Sequence, residues 1–187
     1  MVDIARSELI LGGQKSGKSR RAERIARQWL DATVAHRAVL IATGQAWDDE
    51  MRERIARHQR DRAVRVPGMV TVEEPVALAE VLQRHNSPHT LVVVDCLTLW
   101  LTNLLMPAQG GPQDAEMPTK ALCRAIDQAK GPVVLVGNEI GLGVIPMGRE
   151  VRDFVDALGG VNQSVAGACA RVTLMAAGLP LTLKEPT

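Results

Sequence analysis

The sequence predicts an α/β fold, a mostly parallel sheet with helices on both faces, organised around a phosphate-binding loop. Three observations carry that expectation. Gly12-Gly13-Gln14-Lys15-Ser16-Gly17-Lys18-Ser19 fits the pattern Gly, four residues, Gly-Lys-Ser. Short apolar runs alternate with stretches of helical periodicity along the chain. The strongest run, Thr90-Leu91-Val92-Val93-Val94-Asp95, is β-branched and almost wholly apolar, as a strand covered on both faces must be.

Leu9-Ile10-Leu11 reads as the strand entering the loop. The glycines let the backbone curl so that successive N–H groups face one anion, and the following helix presents its positive end there. Lys18 would reach the terminal phosphates, and the Ser19 hydroxyl would ligate Mg²⁺. Ala22, Ile25, Ala26, Trp29 and Thr33 recur at helical spacing from Arg20 to about Ala35. Ala38–Ala42 is a second strand, closed by Thr43-Gly44-Gln45. A charged helix runs from Asp48 to about Arg62, acids first and bases later, which suits the helix dipole. Met69–Glu73 is a short strand, and Pro75 opens a helix to about Arg84. After the strand ending at Asp95, Cys96–Leu105 is an apolar helix, 107–118 a loop and Thr119–Lys130 a helix. Pro132–Val136 is another buried strand, ending in Gly137-Asn138-Glu139. A loop over 141–146 leads to one or two helices from Arg149 to about Ala170, Gly159-Gly160 being where a break would fall. Arg171–Met175 and Leu179–Leu183 close the chain as two strands compatible with a hairpin. Ligands of such sheets bind beyond the carboxyl ends of the strands. The loop, Thr43–Gln45, Asp95 and Asn138-Glu139 all lie at such ends.

Composition bounds the function. With 187 residues, one domain over 1–187 is expected, able to bury a core without disulfides. A net charge of +1 gives no case for nucleic acid or a membrane surface as partner, and three Trp, one Phe and no Tyr offer little platform for base stacking. Cys96, Cys123 and Cys169 are far apart and form no Cys-x-x-Cys pair, so they read as reduced thiols rather than zinc ligands. No apolar run suits a membrane span and the N-terminus has no signal-like core, so a cytoplasmic location is expected.

Several polar residues admit two readings. Asp95 either holds Mg²⁺ opposite the loop or caps the next helix. Glu50, Arg54 and His58 share a helix face, so His58 is either a nucleophile toward phosphorus or an exposed histidine on a charged helix. Glu73-Glu74 are ligands or helix-start acids, and Asn138-Glu139 face the cleft or merely end a strand. His36, His85 and His89 read as surface residues.

Taken in order, several stretches form one pattern: Gly12 to Arg20, Ile41-Ala42-Thr43-Gly44-Gln45, Asp48-Asp49-Glu50-Met51, Arg54-Ile55 with His58, and Thr71-Val72-Glu73-Glu74-Pro75. Asp95 to Leu105, Asn138-Glu139-Ile140-Gly141, Pro146, Gly160-Val161-Asn162-Gln163 and Ala177-Gly178-Leu179-Pro180 complete it. The chain resembles, over nearly its whole length, the bifunctional adenosylcobinamide kinase / adenosylcobinamide-phosphate guanylyltransferase family of cobalamin biosynthesis. The resemblance implies a RecA-like P-loop NTPase domain and two reactions. The first phosphorylates adenosylcobinamide with ATP or GTP. The second transfers GMP from GTP to adenosylcobinamide phosphate through a guanylyl-histidine, giving adenosylcobinamide-GDP. By the same resemblance His58 is the histidine and Lys18 its catalytic companion. The nucleotide contacts are Gly12, Gly13, Gln14, Lys15, Ser16, Gly17, Lys18, Ser19, Thr43, Gly44, Gln45, Gln59, Arg60, Asp61, Arg62, Glu73 and Asp95. Ser19 and Asp95 are the expected Mg²⁺ ligands, and the resemblance implies a homotrimer. Met69, Val70, Val155 and Arg171 depart from the family pattern; an acid is common where Arg171 stands. The rival reading is a monofunctional small-molecule P-loop kinase without nucleotidyl transfer.

Overall fold

The computed structural model describes residues 4–186. In chain order the elements are β1 (Ser7–Gly12), α1 (Lys18–Ala32), β2 (Arg37–Ala42), α2 (Asp49–Arg65), β3 (Val70–Glu73), α3 (Leu78–His85), β4 (Thr90–Asp95), α4 (Leu97–Leu105), α5 (Glu116–Asp127), β5 (Val133–Val136), α6 (Arg149–Ala168), β6 (Arg171–Ala176) and β7 (Leu179–Lys184). The strands form one sheet in the order β3-β2-β4-β5-β1-β6-β7. Every neighbouring pair is parallel except β6–β7, which is antiparallel. This is the α/β, RecA-like phosphate-loop architecture expected from sequence.

Both faces of the central strands β1, β4 and β5 are buried, which is why they read as nearly continuous apolar runs, whereas the edge strands β3 and β7 are largely exposed. Leu9, Leu11, Val92 and Val94 point to one face, where Trp100, Leu122, Leu158 and Val165 cover them. Ile10, Leu91 and Val93 point to the other, against Ala22, Ile25 and Ala26 of α1. Each fully buried Leu or Val in these layers contributes roughly 1.5–3 kcal/mol by transfer from water. The register sets the strand ends level. Glu73 pairs with Ala42, Ala42 with Asp95, Asp95 with Val136, and Val136 with Ile10. One row across five strands therefore brings the expected site residues to a common edge.

Several boundaries differ from the sequence expectation. Residues 149–168 form one helix, with no break at Gly159-Gly160. A Cβ on either glycine would meet nothing within 4 Å, so no packing demand put them there. Burial of Leu158, Val161, Asn162 and Val165 on the other side outweighs the ~1 kcal/mol that each glycine costs a helix. Pro118 lies not in the loop but in the first turn of α5, where the missing N–H would have had no helical partner anyway. That helix stops at Asp127 rather than Lys130, while α2 runs on to Arg65. Pro75 does not open α3. The Glu74 carboxylate first accepts bonds from the backbone N–H groups of Val76 (2.9 Å) and Ala77 (2.7 Å), and the helix starts at Leu78. β6 and β7 do form a hairpin, with Ala177 and Gly178 at φ 51° and 81°, the double left-handed turn that matches strand twist.

His36 is not a free surface residue. It is half-buried, stacks on Trp29 with ring centroids 3.5 Å apart, and sets Nδ1 2.7 Å from the Trp29 carbonyl oxygen. Arg171 is buried rather than merely misplaced in charge. Its Nε donates to Glu185 at 3.1 Å and its guanidinium faces Glu8, which itself accepts from Arg21 and Thr173 at 2.8 Å. A cation at position 171 is thus accommodated by two carboxylates. All three cysteines are free. Burial pushes the Cys96 thiol up to about 11 and that of Cys169 up to about 12, so both stay protonated at neutral pH. Among the described residues no helix is long and apolar enough to cross a membrane.

Candidate active site

β1 ends in Gly12 at φ 149°, the loop turns through Lys15 at φ 56° and Gly17 at φ 101°, and α1 begins at Lys18. Gly17 is the residue preceding the helix, and its left-handed conformation is one that glycine adopts without steric cost. The Lys18 ammonium folds back to donate to the Gly13 carbonyl at 2.6 Å. Burial pushes its pKa below the ordinary lysine value, while Cys96 and the Asp95 carboxylate oppose that shift. The Ser16 hydroxyl is buried in the loop with no hydrogen-bond partner. An orphaned buried hydroxyl beside a buried ammonium is a costly arrangement in a bare protein, and a phosphate oxygen would satisfy both. Neither the Ser19 hydroxyl nor the half-buried Asp95 carboxylate takes part in a hydrogen bond to the protein among the described residues. This hard-oxygen pair suits Mg²⁺.

The neighbouring strand ends are tied to this centre by backbone-directed bonds. Thr43 N donates to Asp95 O at 3.2 Å, and Thr43 Oγ1 both donates to Cys96 O (2.7 Å) and accepts from Cys96 N (2.9 Å). Glu139 N donates to Gly12 O at 3.1 Å, so the segment after β5 abuts the loop. Asn138 is held by Thr98 Oγ1 and by Asn162 Nδ2, each at 3.0 Å. This segment is therefore a structural part of the cleft floor, with Glu139 turned to its own Gly141 N–H at 2.8 Å.

The second half of the expected set lies along α2 and β3. Ile55 Cδ1 comes within 3.9 Å of where a Cβ on Gly44 would stand, so α2 passes over the Thr43–Gln45 segment. His58, half-buried, follows one turn later on the same side of the helix. Gln59 donates to Glu73 Oε1 at 3.4 Å, and Arg62, the one buried residue of α2, reaches Thr71 Oγ1 at 3.5 Å. Asp61 pairs with Arg65 at 3.1 Å, and Arg60 is exposed. The structure thus sets Lys18 within electrostatic reach of Asp95, in the same loop as Ser16, and sets Glu73 with Gln59. No hydrogen bond or ion pair among the described residues links His58, Arg60 or Asp61 to the phosphate loop. Gln14 and Lys15 are exposed on the loop's outer side.

Two contributors are not legible as such from spacing. Asn103, 3% exposed, donates from Nδ2 to Thr43 O at 2.7 Å and Pro75 O at 3.0 Å, pinning the β2 and β3 exits together. Its signal is a lone carboxamide inside the apolar run Leu97–Leu105, which must find buried partners. The β6–β7 turn is the other. Gly178 N donates to Ser16 O at 3.0 Å, and a Cβ on Gly17 would stand 3.3 Å from Gly178 Cα. A Cβ on Gly12 would fall 2.5 Å from Met175 O and 2.6 Å from Ser16 Oγ. Gly12→Ala is therefore expected to displace the loop, at roughly 1–3 kcal/mol for the strained φ and a similar amount for the clash. The rise in melting temperature on adding GTP should disappear; an unchanged rise would show that the loop tolerates the side chain.

The family described as cobinamide kinase / cobinamide phosphate guanyltransferase matches residues 8–183. The bifunctional adenosylcobalamin biosynthesis protein CobP of Pseudomonas aeruginosa is 46% identical over 180 residues, covering 96% of this chain and 98% of the relative. The corresponding protein CobU of Escherichia coli is 34% identical over 187 residues, with 94% and 98% covered. Among solved structures, the flagellar accessory protein FlaH of Methanocaldococcus jannaschii superposes with a TM-score of 0.57 at 11% identity, covering 99% of this chain and 80% of that one. At that identity the likeness concerns the fold alone. With a family match spanning the loop, the strand-end row and the hairpin that buttresses them, the chain belongs to the cobinamide kinase / cobinamide phosphate guanyltransferase family.

Proposed function

We propose that one domain, residues 1–187, carries out both reactions of its family at a single phosphate loop: phosphorylation of adenosylcobinamide, then guanylylation of adenosylcobinamide phosphate. The observation that carries this is the buried Lys18 ammonium beside Asp95 and the partnerless Ser16 hydroxyl, a constellation that calls for phosphate oxygens. GTP sits with its phosphates in Gly12–Ser19 and its nucleoside toward Thr43–Gln45, Gln59–Arg62 and Glu73. Ser19 and Asp95 hold Mg²⁺, which when bound neutralises phosphate charge.

In the guanylyl step an imidazole nitrogen of neutral His58 attacks the α-phosphorus. A P–N bond forms, the bond to the bridging oxygen breaks, and pyrophosphate leaves. Lys18 and the loop N–H groups stabilise the charge on that leaving group. A phosphate oxygen of adenosylcobinamide phosphate then attacks the same phosphorus, the P–N bond breaks, and His58 is restored. Splitting one transfer into two is the gain of a covalent intermediate. In the kinase step the loop positions the γ-phosphoryl group for the corrinoid hydroxyl, with ATP or GTP as donor. A homotrimer in the cytoplasm is part of the same proposal and rests on family resemblance.

The deciding experiment uses GTP labelled at the α- or γ-phosphorus. The α-label should bind the protein in acid-labile form and discharge into adenosylcobinamide-GDP when adenosylcobinamide phosphate is added. The γ-label should move to adenosylcobinamide. Transfer of γ-label with no protein-bound α-label would reduce the chain to a kinase.

A further inference from the structure

A cavity of about 330 Å³ opens between the end of α4 and the β2–α2 connection, lined by Gln45, Val76, Asn103, Pro107, Ala108 and Gln109. Three of these six side chains are primary carboxamides and none is charged. Asn103 is 3% exposed, and both hydrogens of its Nδ2 are spent on the Thr43 and Pro75 carbonyls. Its Oδ1 takes no hydrogen bond from the protein and remains an acceptor in the cavity wall. Through Thr43 the same wall is bonded to the β4 exit at Asp95 and Cys96, so the cavity adjoins the catalytic edge.

We propose that this cavity receives the carboxamide-bearing rim of the corrinoid substrate. A primary carboxamide donates and accepts at once. A ligand amide can donate to Asn103 Oδ1 and accept from the amide group of Gln109, with Gln45 at the border shared with the nucleoside. Val76, Pro107 and Ala108 supply apolar surface for the ring methyl and methylene groups between such arms. A phosphate or carboxylate would find no cation in this lining, so the site does not suit the nucleotide phosphates. At about 330 Å³ the cavity lies at the small end of the ~300–1,000 Å³ range of ligand sites, enough for one edge of a macrocycle and not for the whole. This inference rests on the reading of the chain as a cobinamide-processing enzyme.

The test uses the full chain with Ala108→Trp, which fills the cavity from an exposed position, and Gln109→Leu, which removes one carboxamide. Each is titrated with cobinamide in the absence of nucleotide, followed by corrinoid absorbance. The dissociation constant should rise about tenfold in the first and about fivefold in the second, the latter being the worth of one neutral hydrogen bond. The KM for cobinamide should rise in parallel, while the KM for GTP and the protein-bound α-label stay at wild-type level. Cobinamide binding that is indifferent to both substitutions overturns this inference alone, as does a rise in the GTP KM in its place. Failure of the wild-type chain to bind cobinamide would overturn both this inference and the proposed function.

Discussion

Lys18→Ala is expected to lose both phosphoryl and guanylyl transfer, each by roughly 10²–10³ or more in kcat/KM, while the protein stays folded. The two halves of that expectation have separate causes. Lys18 is the one buried ammonium at the phosphate loop, 8% exposed, and its present hydrogen-bond acceptor is a loop carbonyl. In either reaction negative charge builds on the phosphate oxygens it would face, so its removal strikes both. Stability runs the other way. A base whose folded pKa lies below its unfolded value weakens the fold while it is protonated. That penalty is complete below the folded pKa and fades as pH rises through it toward the unfolded value. Burial lowers the pKa of Lys18, so near neutral pH the charged side chain costs the nucleotide-free protein stability. The alanine variant should melt within a few degrees of wild type without nucleotide, or above it, and should lose the stabilisation conferred by GTP. Calorimetric melting with and without GTP, beside both transfer assays, measures this. Guanylylation that survived in the variant would refute a shared loop.

What could be read from the sequence divides by range of interaction. β4 and the phosphate loop were legible because their signals are local: a β-branched apolar run and a glycine pattern that only a strand-to-helix turn uses. The gathering of the phosphate loop, Thr43–Gln45, Asp95 and Asn138-Glu139 followed from the rule that ligands bind at strand exits, whereas the level row of Glu73, Ala42, Asp95, Val136 and Ile10 did not, because strand order and register were not readable. The seat of the β6–β7 turn on the loop was not readable either, since the Gly178-to-Ser16 bond joins residues at opposite ends of the chain and leaves no periodic trace. α6 was legible only as one helix or two. A local breaker pair was real, but long-range burial of the opposite face overrode it. α2 was legible as a helix and little more. Its apolar face is so thin that only Arg62 is buried, so the pattern could not say which side meets the sheet. The orientation comes instead from polar anchors, Arg65 to Glu23 at 2.8 Å and Gln59 to Glu73 at 3.4 Å.

That orientation bears on the second large expectation. His58→Ala should abolish protein-bound α-label from GTP and lower guanylyl transfer by at least about 10⁴-fold, with phosphorylation of adenosylcobinamide kept within a fewfold of wild type. Loss of a covalent nucleophile removes a bond-forming partner rather than one stabilising contact, so the effect should exceed that of a missing hydrogen bond by orders of magnitude. The fold should not suffer. His58 is half-buried, its imidazole holds no hydrogen bond to the protein among the described residues, and α2 keeps its anchors at Gln59, Arg62 and Arg65. In the proposed scheme the kinase step draws on the same loop and the γ-phosphoryl group but needs no nucleophile from α2. The split between the two activities therefore separates a chemical role from a structural one, since a helix displaced from the Thr43–Gln45 segment would weaken nucleotide binding in both. Glu50→Gln and Arg54→Met, exposed on the same helix face, serve as controls and should label normally. If His58→Ala also labels normally, the covalent guanylyl group sits on another side chain and the assignment of His58 falls; if the variant carries no label yet guanylylates the corrinoid phosphate at the wild-type rate, the group passes directly from GTP to that phosphate.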